Sequence, residues 1–97
     1  RRGTEPGKIR PVVVVQTDLL NPVHPSPLIC PLTTNIQPKA HLLRVHLKAS
    51  EAGLKQDSDI MVDQFRAIDN RRFLRQMGKL SRRAQERLAE RIRILLA

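Results

Sequence analysis

Aromatic side chains are almost absent from this chain. Phe65 and Phe73 are the only two in 97 residues, and there is no Trp or Tyr. A surface that stacks base after base on aromatic rings is therefore not expected. Any nucleic-acid contact has to rest on phosphates and polar base edges. Cysteine is limited to Cys30, and one thiol cannot form an internal disulfide, which points to a reducing compartment such as the cytoplasm. With nothing nearby to lower its pKa, Cys30 reads as a small core residue and not as a nucleophile. No stretch is long or apolar enough to span a membrane, and the first residues carry no signal-peptide core. His24, His41 and His46 pair with no other His, Cys or carboxylate at ligand spacing, so no metal site is expected. Nor is there a phosphate-cradling glycine motif or a Ser/His/Asp signature, and no cofactor is implied.

Acidic residues are also scarce. Nine Asp and Glu face eighteen Lys and Arg, for a formal net charge of +9. The imbalance is concentrated at one end: residues 1–65 carry a balance of +2 and residues 66–97 a balance of +7. Such a chain attracts polyanions, whether nucleic acid, an acidic protein segment or an anionic surface. Its length suits one domain with one modest core.

The stretch that organises the rest is Gly3-Thr4-Glu5-Pro6-Gly7-Lys8-Ile9-Arg10-Pro11, which runs into Val12-Val13-Val14-Val15. The β-branched valines predict a strand, and their lack of polar alternation predicts burial on both faces. The residues before them read as a loop. Pro11 opens the strand and biases Arg10 towards an extended backbone. Arg10, a permanently charged fork of five donors, thus stands where loop meets strand. It is either a solvated arginine beside a turn or a group that holds an anion in fixed geometry.

Further along, Leu28 to Thr34 predicts a second strand, with Pro31 favouring an edge or a bulge. His41 to Leu47 alternates, with Leu43, Val45 and Leu47 facing one way and Arg44 and His46 the other. Ala49 to Asp59 reads as a polar connection, and Ile60 to Ile68 as the third clear strand, with Ile60 and Val62 inward and Asp63 on the other face beside Arg66; Ala67 is inward too unless a bulge near Gln64 alters the alternation. Asp69-Asn70 reads as a turn or cap. Gly78 either ends a short helix or sits in a strand over Gln76 to Leu80. Ser81 is a suitable N-cap, and Ala84, Leu88, Ile92, Leu95 and Leu96 recur at helical spacing, predicting an amphipathic helix from Ser81 to Leu96. Arg83, Arg87 and Arg91 form a stripe on its other side, either a solvated face or a binding surface. The predicted class is mainly β, a small twisted antiparallel barrel or half-barrel with a C-terminal helix.

Three blocks, taken in order, resemble a known family. Residues 3–11 followed by valines are similar to the first signature of MazF/PemK-type toxins. Ile29-Cys30-Pro31-Leu32-Thr33-Thr34-Asn35 is similar to their second motif. Gly53-Leu54 to Asp57-Ser58, then Asp63-Gln64-Phe65-Arg66-Ala67-Ile68-Asp69, is similar to their third. The resemblance implies an SH3-like barrel and a homodimer. It also implies a bacterial, cytoplasmic endoribonuclease that cuts single-stranded RNA at short motifs without a metal and is neutralised by an acidic, MazE-like antitoxin. By the same resemblance, Arg10 and Thr33 are the catalytic pair. Thr4, Glu5 and Lys8 belong to a loop that closes over RNA, and Thr34, Asn35, Asp63, Gln64 and Arg66 lie along the substrate groove. Glu5 and Asp63 are the candidate bases; each could instead hold an arginine.

Two departures stand out. Some family members have a histidine where this chain has Thr4 and an arginine where it has Met61, so their acid–base assignment does not transfer. The family's usual opening strand, before the first motif, is not found in residues 1–97, which is expected to remove a pairing partner from the valine strand. From another class, the composition also fits a non-catalytic basic barrel that binds nucleic acid.

Overall fold

The computed structural model describes residues 9–15, 27–68, 73 and 75–97. The loop bearing Thr4, Glu5 and Lys8, the connection over 16–26 and the Asp69-Asn70 turn lie outside the described residues. Five strands and one helix follow in order: β1 (Val12–Val15), β2 (Leu28–Thr33), β3 (Arg44–Leu47), β4 (Ser58–Met61), β5 (Arg66–Ala67) and α1 (Arg82–Leu96). Short 3-10 turns occupy Glu51–Gly53 and Val62–Gln64. All the strand pairings are antiparallel, and β2 is at the centre of them. One of its edges pairs with β1, from Val12 opposite Pro31 to Val15 opposite Leu28. Its other edge pairs first with β5, at Leu28 and Ile29, and then with β4, at Leu32 and Thr33. β3 closes the far side of β4.

Two sequence expectations change places here. β1 is not buried on both faces: Val13 is buried but Val14 is 44% exposed. Among the described residues β1 pairs only with β2 and is an edge strand, and the face that carries Val14 is not covered. β2 is the strand buried throughout, from Leu28 to Leu32. Pro31 therefore lies in a central strand and not at an edge. Leu32 N donates to Pro11 O on the β1 side, and donors alternate along an antiparallel strand. The missing N–H of Pro31 accordingly falls on the other edge, between the β5 and β4 pairings, where no ladder bond is required.

The expected long strand from Ile60 to Ile68 is broken by the Val62–Gln64 turn, at the position where the neighbouring ladder on β2 is interrupted. Ile60 and Val62 are buried as expected, but Ala67 is exposed. β3 begins at Arg44, one residue after Leu43, which stands 41% exposed in the preceding turn. Val45 and Leu47 face the core, packed with Val13, Cys30, Leu32, Leu54, Ile60 and Val62 against Ala84, Leu88 and Ile92 of α1. The helix starts as its sequence predicts, with Ala84 N donating to Ser81 Oγ at 3.1 Å. Its last turn is less buried than the pattern implies: Leu95 is 40% and Leu96 50% exposed. Among the described residues no helix is long and apolar enough to cross a membrane.

Gly78 lies in neither a helix nor a strand. Residues 75–80 run as irregular chain into α1 and cross the Glu51–Gly53 turn backbone to backbone. A Cβ on Gly78 would lie 2.6 Å from the Ala52 carbonyl, and one on Gly53, at φ +78°, would lie 2.5 Å from Met77 O. Neither obstacle is a flexible side chain. Gly78→Ala is expected to lower unfolding free energy by about 1–3 kcal/mol, as overpacking does. In the same urea titration Lys79→Ala is expected to stay within about 0.5 kcal/mol of the parent.

Candidate active site

The end of β2 and the start of β1 build one edge of an open cleft of about 300 Å³. Ile9, Arg10, Pro11, Leu32, Thr33, Thr34 and Ser58 line it. Arg10 is delivered by the extended segment entering β1. It is exposed, and Pro11 behind it is anchored by the Leu32 N to Pro11 O bond. Thr33 is the last residue of β2, half-buried, opposite Asp59 of β4. Its Oγ1 accepts from Asn35 N at 3.1 Å, a local turn that threonine favours. That bond uses an acceptor lone pair and leaves the single O–H donor for a ligand. The cleft is thus lined by an exposed cation and by a threonine whose hydroxyl keeps its donor, the kinds of group that hold an oxyanion.

A second polar group lies across the strands from Thr33. Asp59 is fully buried. Its Oδ2 accepts from Gln37 N at 2.9 Å and from Arg44 Nη1 at 3.1 Å, and its Oδ1 meets His46 Nδ1. Arg44 Nη1 also donates to Asn35 O at 3.3 Å.

The family model described as "PemK-like, MazF-like toxin of type II toxin-antitoxin system" matches residues 1–96. The chain belongs to this family. Among its relatives is a protein of Bacillus subtilis named endoribonuclease EndoA, 32% identical over 95 residues, covering 98% of this chain and 82% of that protein. Another is endoribonuclease MazF of Staphylococcus saprophyticus, 32% identical over 80 residues, covering 82% of this chain and 67% of the relative. Solved structures agree in fold. The Mycobacterium tuberculosis toxin MazF-mt6 superposes with a TM-score of 0.72 at 25% identity, covering 90% of this chain and 85% of that one. A structure titled "Crystal structure of Mtb toxin" gives 0.70 at 26%, covering 88% and 90%.

Of the residues that the MazF/PemK resemblance singles out, the cleft brings together Arg10, Thr33 and Thr34. Asn35 is exposed just beyond, turned by its bond to Thr33. Asp63, Gln64 and Arg66 are exposed on the turn between β4 and β5 and at the start of β5. They are not among the residues lining the cleft. In the arginine stripe, Arg83 is exposed, whereas Arg91 is mostly buried and donates through Nε to His41 O at 2.7 Å and through Nη1 to Glu90. At least that end of the stripe is structural.

Asp59, Arg44, His46 and Ser58 were not legible as site neighbours. The signal was available in part: Ser58 and Ile60 alternate about Asp59 as a strand requires, but a polar run before Ile60 reads more readily as a connection.

Cys30 is fully buried. Desolvation, reinforced by the Asp63 charge, pushes its thiol from 9.0 up to about 12. Only the unfolded chain then gains from releasing that proton above pH 9. The contribution of Cys30 to stability is therefore full below pH 9 and is lost as pH rises towards 12. Wild type is expected to lose more stability than Cys30→Ala between neutral pH and about pH 10, read by urea denaturation at the two pH values.

Proposed function

We propose that this chain is a toxin endoribonuclease that cleaves single-stranded RNA without a metal, releasing a 2′,3′-cyclic phosphate and a 5′-hydroxyl end. The observation that carries the reading is the convergence of Arg10 and Thr33, separated in sequence, on one open cleft. The endoribonuclease names of two relatives support the substrate class.

In this mechanism the ribose 2′-oxygen attacks the adjacent phosphorus and the P–O5′ bond breaks. The 2′-hydroxyl proton passes to a base, and the leaving 5′-oxygen takes up a proton from solvent water. Arg10 offsets charge on the non-bridging and leaving oxygens, and Thr33 donates a hydrogen bond to the same phosphate. A guanidinium titrates far above neutral pH, so Arg10 acts by electrostatic stabilisation. Glu5 and Asp63 are the two carboxylates proposed as base, Asp63 being the more natural partner of Arg66 or of bound RNA. Thr4, Lys8, Thr34, Asn35, Gln64 and Arg66 are assigned to RNA binding, which fits a surface reading phosphates and polar edges.

The proposed assembly is a two-fold homodimer working in the bacterial cytoplasm and silenced by an acidic, MazE-like antitoxin segment. Two features support it. Leu42, Leu95 and Leu96 are exposed around the contact of Arg91 with His41, leaving apolar surface for a symmetric copy. The net charge of +9 suits an acidic binder.

Three outcomes are expected. Arg10→Ala lowers the single-turnover cleavage rate about 10²–10³-fold with little change in stability, and Arg10→Lys restores little of it, since an ammonium lacks the planar fork. Retention of more than about a tenth of the wild-type rate would make Arg10 a binding or structural residue. Wild-type cleavage persists in EDTA, whereas 2′-O-methyl RNA and DNA of the same sequence resist it. RNA that is bound but never cut would support the non-catalytic barrel instead. Light scattering at tens of micromolar is expected to return twice the chain mass; a strictly monomeric mass counts against the dimer.

A further inference from the structure

The Asp59 cluster has no part in the chemistry above, yet its cost in so small a fold is high. Removing a carboxylate from water carries a penalty of several kcal/mol that partners only partly repay, and an apolar side chain in its place is often neutral or stabilising. Asp59 is fully buried, so stability alone is a poor reason for a charge there.

Its partners indicate another reason. Asp59 stands directly across from Thr33 in the β2–β4 ladder. One oxygen takes the N–H of Gln37 and the guanidinium of Arg44. The same Arg44 nitrogen holds Asn35 O, and Asn35 N is the donor that occupies Thr33 Oγ1. His46 holds the other carboxylate oxygen from β3. Short links thus run from Asp59 to both ends of the 35–37 segment, and from that segment to the hydroxyl of Thr33, a residue that lines the cleft. A threonine hydroxyl has three staggered positions. The bond from Asn35 selects one of them, and it does so only while the 35–37 segment keeps its place.

We propose that Asp59 is a positioning residue: through Arg44 and Gln37 it clamps the segment 35–37, which aims the Thr33 hydroxyl at the phosphate. The proposal rests on the ribonuclease reading above. Arg44 and His46 orient the carboxylate and touch no reacting atom.

The test is a double-mutant cycle. A cut site is first mapped on a long transcript, and an oligoribonucleotide spanning it serves as substrate at saturating enzyme. Asp59→Asn keeps the shape but replaces one acceptor oxygen by a donor. It is expected to lower the single-turnover rate about 10- to 100-fold, the range that misplacing a group by an ångström produces, while unfolding stays cooperative. In the Thr33→Val background, where no hydroxyl remains to be aimed, the same substitution is expected to change the rate by less than about twofold. An unchanged rate in Asp59→Asn overturns the proposal, and so do equal losses in the two backgrounds. If Asp59→Asn does not fold, Arg44→Gln, which severs the link to Asn35 O, is measured in both backgrounds by the same criteria. A folded wild type that binds the transcript without cutting it overturns the ribonuclease reading itself. Cleavage with additive losses overturns the positioning role alone.

Discussion

Everything in this fold is referred to β2. It shares one edge with β1 and the other with β5 and then β4, and both its faces are covered. A strand in that position has to account for every donor and acceptor along two edges. Pro31 removes one donor where the neighbouring chain leaves the sheet for a single turn, so the defect and the interruption cancel. The turn at Val62–Gln64 lets one edge of β2 serve two short strands that belong to different parts of the sheet. The same strand ends at Thr33, and the adjacent edge fixes Pro11 behind Arg10. Thr33 thus belongs to the central strand, and Arg10 is placed beside it through the neighbouring Pro11.

Electrostatically the molecule joins opposite arrangements within a few ångströms. The cleft presents a cation and a hydroxyl to open solvent, where an incoming anion supplies the missing charge. Behind Thr33 the sheet carries a carboxylate withdrawn from solvent and surrounded by donors. Because Asp59 is occupied by Arg44, His46 and Gln37, its charge is largely satisfied locally, so an approaching phosphate meets less repulsion than a bare buried anion would create. That balance allows an acidic residue to stand next to the proposed phosphate site.

The parts of this arrangement that the sequence revealed are those with a local signature. The valine run, the alternation of Val45 and Leu47, and the Ser81-capped helix each carry a period or a cap, and each formed where expected. Cys30 lies in the core, as the lack of any nearby group to activate its thiol implied. What was hidden depends on neighbours distant in the chain. Whether β1 or β2 is buried twice depends on which strand is central, and no property of either stretch encodes that. Leu95 and Leu96 continue the apolar repeat of α1 but stay exposed, past the reach of the described core. Arg10 and Thr33 stand out in the sequence as polar residues at strand edges, an arginine and a hydroxyl suited to a phosphoryl group, but nothing in their spacing required that they share a cleft; the resemblance to a family is what made them a pair. Asp59 was lost because a buried charge looks like a solvated one until its partners are known.

Gly78 shows that solvent exposure and tolerance to change are separate properties in this molecule. It is exposed, and accessibility alone would nominate it as an attachment point for a dye, an affinity handle or a surface cysteine. Any such side chain has to begin with the Cβ that the Ala52 carbonyl forbids. Probes for this protein belong instead on Lys55 or Arg93, which are equally accessible and already carry long side chains into solvent.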